Sequence, residues 1–266
     1  MHTINKKYIL KLLTGLIFAF FIGASALSWV QLEGPHFEKL FLIGYGGVPL
    51  PLEIESYLRL MLSLLVPQVF LVFILADYML IDFTICSVYI FTRTPKRNKW
   101  FIRKALELIF LTALFYLFQF IALFVIGQIA GLVVSDIFAF INLIASEFVL
   151  LVLISFIYVL AVNILSLKIG INHSFLAIVL LVSLSSVSTL ELQNTSLLKF
   201  IPISQSMLIW HENKSLLLYR DLIGDYLPNF TIAFSIAYAL IVILLLVFIG
   251  IKLLDNLEIM GFEKEG

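Results

Sequence analysis

Six long apolar runs, separated by shorter polar or glycine- and proline-bearing stretches, dominate the chain. They extend from Leu12 to Val30, Tyr57 to Ile81, Ala105 to Gly127, Ile137 to Leu165, Phe175 to Leu190 and Phe230 to Ile251. A hydrocarbon core of ~30 Å takes about 20 apolar residues at a helical rise of ~1.5 Å, so each run predicts one transmembrane helix. The fourth is long for one crossing and is either tilted or begins nearer Asn142. The fifth is the shortest and carries Ser183, Ser185, Ser186 and Ser188. With no internal repeat, low-complexity tract or linker, residues 1–266 read as a single transmembrane domain of an all-α integral membrane protein.

Composition sharpens this. Of 266 residues, 62% are hydrophobic and 13% charged, and a water-soluble domain of this size has no place for so much apolar surface. The formal net charge is zero, which gives no indication of a nucleic-acid partner. The distribution of lysine and arginine is more telling. Lys6, Lys7, Lys11, Arg93, Lys96, Arg97, Lys99, Arg103, Lys104, Lys168, Lys252 and Lys264 fall on one side of the predicted membrane. Lys39, Arg59, Lys199, Lys214 and Arg220 fall on the other, a split of twelve to five among the 17 cations. The positive-inside rule then makes both termini cytoplasmic, as an even number of spans requires. Lysines, an apolar run and Ala24-Ser25-Ala26 also match a cleavable signal peptide, but the apolar run continues to Val30. An uncleaved first helix is therefore the expectation.

Three segments lie between spans. Residues 31–56 hold Gly44, Gly46, Gly47, Pro49 and Pro51, which predict a turn. Residues 82–104 form the most basic stretch. Residues 191–229 mix apolar positions with scattered charges at a spacing that predicts short amphipathic helices lying at the outer interface. Trp210, Tyr219 and Tyr226 would sit there at headgroup level.

The motifs of soluble chemistry are missing. There is no G-x-x-x-x-G-K-[ST] loop for ATP, His211-Glu212 lacks the second histidine of H-E-x-x-H, and no G-x-S-x-G elbow occurs. His2, His36, His173 and His211 are spread over both sides, which argues against a zinc cluster. The single cysteine, Cys86, rules out an intrachain disulfide. The chain is not expected to be an enzyme or to carry a cofactor of its own.

The stretch Asp82-Phe-Thr-Ile-Cys-Ser-Val-Tyr-Ile-Phe-Thr-Arg-Thr-Pro-Lys-Arg-Asn-Lys-Trp-Phe-Ile-Arg-Lys104 is the most informative. It resembles the first cytoplasmic loop of ABC-2-type transporter permeases. In those proteins a short coupling helix ends in a small-Arg-Pro-x-x-Arg/Lys pattern before a lysine opens the third span, the place Lys104 takes here. The layout is also similar: a short basic N-terminus, six spans and a brief tail. Phe200-Ile-Pro-Ile-Ser-Gln-Ser-Met-Leu208 looks like the outer re-entrant region of that family. One departure is that such loops carry an acidic residue and, a few positions on, a glycine (as in E-x-x-x-G-T); here Asp82 is present, but the glycine is replaced in the Ser87-Val88 region.

The resemblance implies the membrane subunit of an ATP-driven exporter in a bacterial plasma membrane. It would work with a separately encoded P-loop ATPase, which would hold the ATP and magnesium, and with a second identical or related permease. A docking segment needs an apolar ridge and polar groups to fix its register. Val88, Tyr89, Ile90 and Phe91 offer the first, Arg93, Lys96 and Arg97 offer the second, and Pro95 and Trp100 belong to the same expected coupling segment. The plain alternative is a positive-inside loop whose cations neutralise anionic lipid. A pathway so poor in charge suits an apolar or amphipathic substrate such as a peptide, and its candidate lining is Glu147 and Tyr116. Glu147 lies near the headgroups if the fourth helix starts at Asn142, and deep if it starts at Ile137. Asp77 and Glu107 read as local ion pairs near the inner helix ends. Gly127-Gln-Ile-Ala-Gly131 is either a helix-packing motif or a turn. The rival readings are a secondary transporter, which needs paired broken helices or several intramembrane charges, and a sensor or immunity protein that binds a peptide outside without moving it.

Overall fold

The computed structural model describes residues 6–33, 35–50, 54–83, 97–193 and 195–256. Every regular element among them is helical, and two isolated bridges, His36 with Val133 and Leu50 with Gly224, pair extended backbone. Six helical stretches are long and apolar enough to cross a membrane: Tyr8–Val30, Met61–Phe83, Arg97–Ile129, Ile137–Ile169, Ile171–Glu191 and Ile232–Leu254. In hydrocarbon no water satisfies a backbone N–H or C=O, so an apolar run closes its hydrogen bonds on itself as a helix.

In chain order the helices are α1 (Lys6–Leu13), α2 (Leu16–Glu33), α3 (Phe37–Gly44), α4 (Ile54–Leu75), α5 (Arg97–Ile129), α6 (Ile137–Ile169), α7 (Ile171–Glu191) and α8 (Ile232–Asn256). The burial of their apolar windows ranges from 11% in the last span to 72% in the fourth, which makes α6 the axis. Helices α3, α4, α5, α7 and α8 and the segment before α8 pack around it. α7 and α8 keep Leu180, Leu184, Leu244 and Phe248 exposed, as helices facing lipid do.

The first two crossings are not continuous. Between α1 and α2, Thr14 N and Gly15 N bond back to Lys11 O and Leu12 O in a tight turn. Gly15 is needed there, since a Cβ would collide with the Phe115 ring. α4 contains Pro67 and ends at Leu75, and after a turn at Ala76-Asp77 the chain is helical again over 78–83.

Several expectations are refined. The fourth span begins at Ile137, where Asp136 Oδ1 accepts from Phe138 N (2.8 Å) and Ala139 N (3.2 Å). Glu38 Oε1 reinforces that start by accepting from Ser135 N (3.0 Å) and Ser135 Oγ (2.9 Å). The third helix begins at Arg97, well ahead of Ala105, and the fifth covers Ile171–Glu191 rather than 175–190. Gly127 and Gly131 divide the two roles weighed for them. Gly127 is buried with a Cβ position that would run into Phe37, whereas Gly131 turns the chain at φ +73° in open space.

The segment before α8 is a correction. It forms four 3₁₀ turns (Ser196–Phe200, Ile203–Ser206, Leu208–Trp210, Lys214–Tyr219) and one α-turn (Arg220–Ile223), not amphipathic helices on a surface. Every residue from Ile203 to His211 is buried. Trp210 is fully enclosed, and its indole N–H donates to Val48 O at 2.6 Å. Backbone satisfaction explains the inward position: Ile209 N bonds to Gly46 O (3.1 Å) and Leu227 N to Trp210 O (3.0 Å), so the segment and the 44–50 turn complete one another.

Candidate functional site

One end of the bundle gathers the polar termini of four spans. Tyr8 OH donates to Asp77 Oδ1 (3.1 Å), and Lys11 Nζ lies 3.8 Å from Asp77 Oδ2, so α1 is tied to the interruption in the second crossing. Lys104 on α5 stands between Asp82 (2.6 Å) and Glu107 (2.9 Å), with Arg103 on the far side of Glu107 (3.0 Å) and Tyr78 OH donating to it (2.7 Å). Lys104 Nζ also lies 4.6 Å from the centre of the Tyr78 ring. Arg97 Nη1 donates to Leu254 O (2.8 Å), adding the end of α8. Asp77 and Glu107 are thus in local ion pairs, as their positions in the sequence suggested.

Of the residues expected to form a docking ridge, Val88, Tyr89, Ile90, Phe91, Arg93, Pro95 and Lys96 lie outside the described residues. Arg97 and Trp100 fall in the first turn of α5. There Arg97 reaches α8, and Trp100 is buried with its ring 6.5 Å from that of Phe83.

Both interruptions are repaired by amide side chains that sequence reading passed over. Asn163 on α6 accepts from Met79 N (2.9 Å) and donates to Leu75 O (2.8 Å), bridging the break in the second crossing from one side to the other. Gln119 on α5 donates to Gly15 O (2.9 Å) at the break in the first, and accepts from Tyr45 OH (2.5 Å). The signal for both was a lone carboxamide inside an apolar run, which is costly unless it has a dedicated partner.

Glu147 and Tyr116 end up in the interior. Tyr116 OH is 2.7 Å from Ser155 Oγ, and both are fully buried. Glu147 is fully buried too, and neither of its oxygens has a hydrogen-bond partner. Its helix starts at Ile137, which puts it ten residues along α6, inside the bundle. Gln68, directly after Pro67, is likewise buried with both amide atoms unpartnered.

At the opposite end, His211 joins the buried segment to the last span. Its Nδ1 is 2.9 Å from Met207 O and its Nε2 2.6 Å from Ser235 Oγ, which is 2.7 Å from Gln205 Oε1. The ring stacks on Phe230 at 4.0 Å, and burial pushes its pKa down to about 4. Arg220 fastens the same region from outside, donating to Ile209 O (3.0 Å), His211 O (3.0 Å) and Gly224 O (3.3 Å). Beside it an open cleft of about 500 Å³ is lined by Glu212, Asp225, Tyr226, Pro228 and Asn229. No group of three or more His, Cys, Asp or Glu side chains suited to a metal occurs among the described residues. Compared with family models, curated proteins and solved structures, the chain matches none.

Proposed function

We propose that this chain is the membrane-spanning permease subunit of an ATP-driven exporter of the ABC-2 type. It would move an apolar or amphipathic substrate, a peptide being the suggested class, across the plasma membrane. Both termini would be cytoplasmic, the P-loop ATPase a separate chain, and a second permease copy or relative would complete the assembly.

The observation that carries this reading is the anchoring of the residues on either side of the stretch 84–96. On one side of it Asp82 is paired with Lys104 (2.6 Å); on the other Arg97 holds Leu254 O (2.8 Å). Through Tyr78, Glu107, Asp77 and Tyr8, the same cluster reaches the first and second spans. These ion pairs range from partly exposed, at Lys11–Asp77, to largely enclosed, at Lys104–Glu107. Their effect is positional: a partner pressing on this loop would act on four helices at once. The interruptions at Thr14-Gly15 and Ala76-Asp77 lie next to that cluster, and such breaks give helices points about which to pivot. Twelve of the 17 cations on the loop side support a cytoplasmic placement for it.

The test is a mild-detergent purification of the tagged protein from its native host, with partners identified by mass spectrometry. A P-loop ATPase should co-purify and be lost when residues 88–100 are replaced by a neutral linker. Changes at Arg93 or Pro95 should abolish transport with expression intact. Repeated recovery without an ATPase, under conditions that preserve known transporter complexes, refutes the reading. A second reading, a non-transporting sensor that binds a peptide outside, is favoured by the cleft at Glu212 and Asp225, whose carboxylates suit a cationic peptide. It requires insensitivity to the Arg93 and Pro95 changes.

A further inference from the structure

A carboxyl group buried inside a membrane protein needs an opposite charge, a set of hydrogen-bond donors, or a proton. Glu147 lies ten residues into α6, about 15 Å along a helix of 33 residues that begins at Ile137, and its side chain is fully buried. The structure removes the first two options. Neither oxygen receives a hydrogen bond. Among the buried polar groups, Tyr45 OH donates to Gln119, Thr112 Oγ to Leu108 O, and Tyr116 and Ser155 bond to each other, while the amide of Gln68, which has no partner, does not reach Glu147.

No charge comes from the described side chains of the elements packed against α6 either. On α5, Lys104 is held by Asp82 and Glu107, and Arg103 by Glu107, more than three turns from the Tyr116–Gln119 level. Lys99 and Arg97 lie still closer to that end of the helix. Lys168 stands in the last turn of α6, and Lys252 near the end of α8. His173 and Glu191 stand at the two ends of α7. On α3, Glu38 is bound to Ser135, and Lys39 follows it at the same end. In the segment before α8, Arg220 is spent on backbone carbonyls and His211 on Met207 O and Ser235, while Lys199 and Lys214 sit in its outer turns. The remaining titratable neighbours, Tyr45, Tyr57, Tyr116, Tyr158, Tyr219 and Tyr238, are phenols and bring no positive charge.

The relative exposure of Glu147 is zero, so no water-sized space touches it. Such closure leaves no room for a water molecule or a metal ion with its own ligands. A proton is the occupant that fits.

We propose that Glu147 is a proton-binding site in the buried interior of the bundle, occupied while the bundle is closed as in this structure. A proton adds to one carboxylate oxygen from water before closure and returns to water when α6 parts from its neighbours; no other bond changes. The closed state then binds one proton more than an open state in which Glu147 is hydrated. By linkage, alkaline conditions favour opening, and each opening presents a fresh carboxylate to the pathway. This holds whether or not an ATPase drives the opening, so it stands apart from the permease reading.

Infrared spectroscopy of the full-length protein in lipid tests it without any ligand. At pH 8 the wild type should show the C=O stretch of a protonated carboxyl group, and Glu147→Gln should lack it. In deuterium oxide that band should keep its position for many minutes, because the site is closed to water. Absence of a band that depends on Glu147 at pH 8 means an ionised carboxylate and overturns the proposal. A band that shifts at once in deuterium oxide overturns the closed site. Glu147→Leu, which suits an apolar interior, supplies the same comparison should the glutamine variant fold poorly.

Discussion

At the scale of single residues, His211 shows two opposed demands on one side chain. Met207 O accepts, so Nδ1 must carry a proton, and Ser235 has one proton to share between Nε2 and Gln205 Oε1. Gln205 cannot relieve the shortage by turning over, because its Nε2 donates to Lys199 O. A neutral ring therefore leaves this chain one proton short, while burial and the stacked Phe230 disfavour a charged one. Burial prevails, and the pKa is pushed from 6.5 down to about 4. The sign follows directly. Between pH 6.5 and 4 the unfolded chain binds a proton that the folded chain does not, so stability falls as pH drops through that window and levels off below it. A depression of this size corresponds to up to about 3 kcal/mol. Thermal unfolding from pH 7 to pH 4 should show the loss in the wild type and a flatter profile in His211→Gln. Equal profiles would mean that the ring is already charged in the folded protein.

At the scale of elements, the amide repairs decide how stiff the second crossing is. Asn163→Leu keeps the side-chain volume but leaves Leu75 O and Met79 N without partners in a region where lipid offers none. Buried polar groups left unsatisfied cost about 1–3 kcal/mol each. A loss of roughly 2 kcal/mol or more is expected, measured by unfolding in mixed micelles, with faster amide exchange at residues 76–80. Asn163→Asp, which keeps the acceptor for Met79 N, should retain part of the protection there. The sequence made six helices legible, because an apolar run of this length has one way to satisfy its backbone in lipid. The interruptions were not legible. Thr14-Gly15 and Ala76-Asp77 are short, and what fixes them is Gln119 and Asn163, far away in the chain. The inward course of residues 196–219 was hidden for a similar reason. Its 3₁₀ turns follow neither the helical nor the strand period, and the partner that buries Trp210, Val48 O, is 162 residues away. The start of the fourth helix was within reach: Asp136 ahead of an apolar run is a helix-start signal, and giving it weight would have set the helix at Ile137.

At the scale of the whole molecule, Lys104 is where loop and bundle meet. Its ammonium is largely enclosed by Asp82, Glu107 and the Tyr78 ring, so one side chain joins the end of the second span to the start of the third. Under the permease reading this separates docking from transmission. Replacing residues 88–100 removes the surface that the ATPase would grip, whereas Lys104→Met leaves that surface intact and cuts the connection behind it. The ATPase should therefore still co-purify with Lys104→Met. A non-hydrolysable ATP analogue added to the wild-type complex should change amide exchange in residues 84–96 and also around 11–15 and 76–83. In the Lys104→Met complex the change should stop at the loop. Global stability has to be measured alongside, because removing Lys104 leaves two partly buried carboxylates without their cation, and the comparison holds under conditions where both complexes stay folded. If the analogue's effect reached residues 11–15 undiminished in a stable Lys104→Met complex, force would be travelling through the Arg97–Leu254 contact and α8. Arg97→Met would then be the variant that confines it.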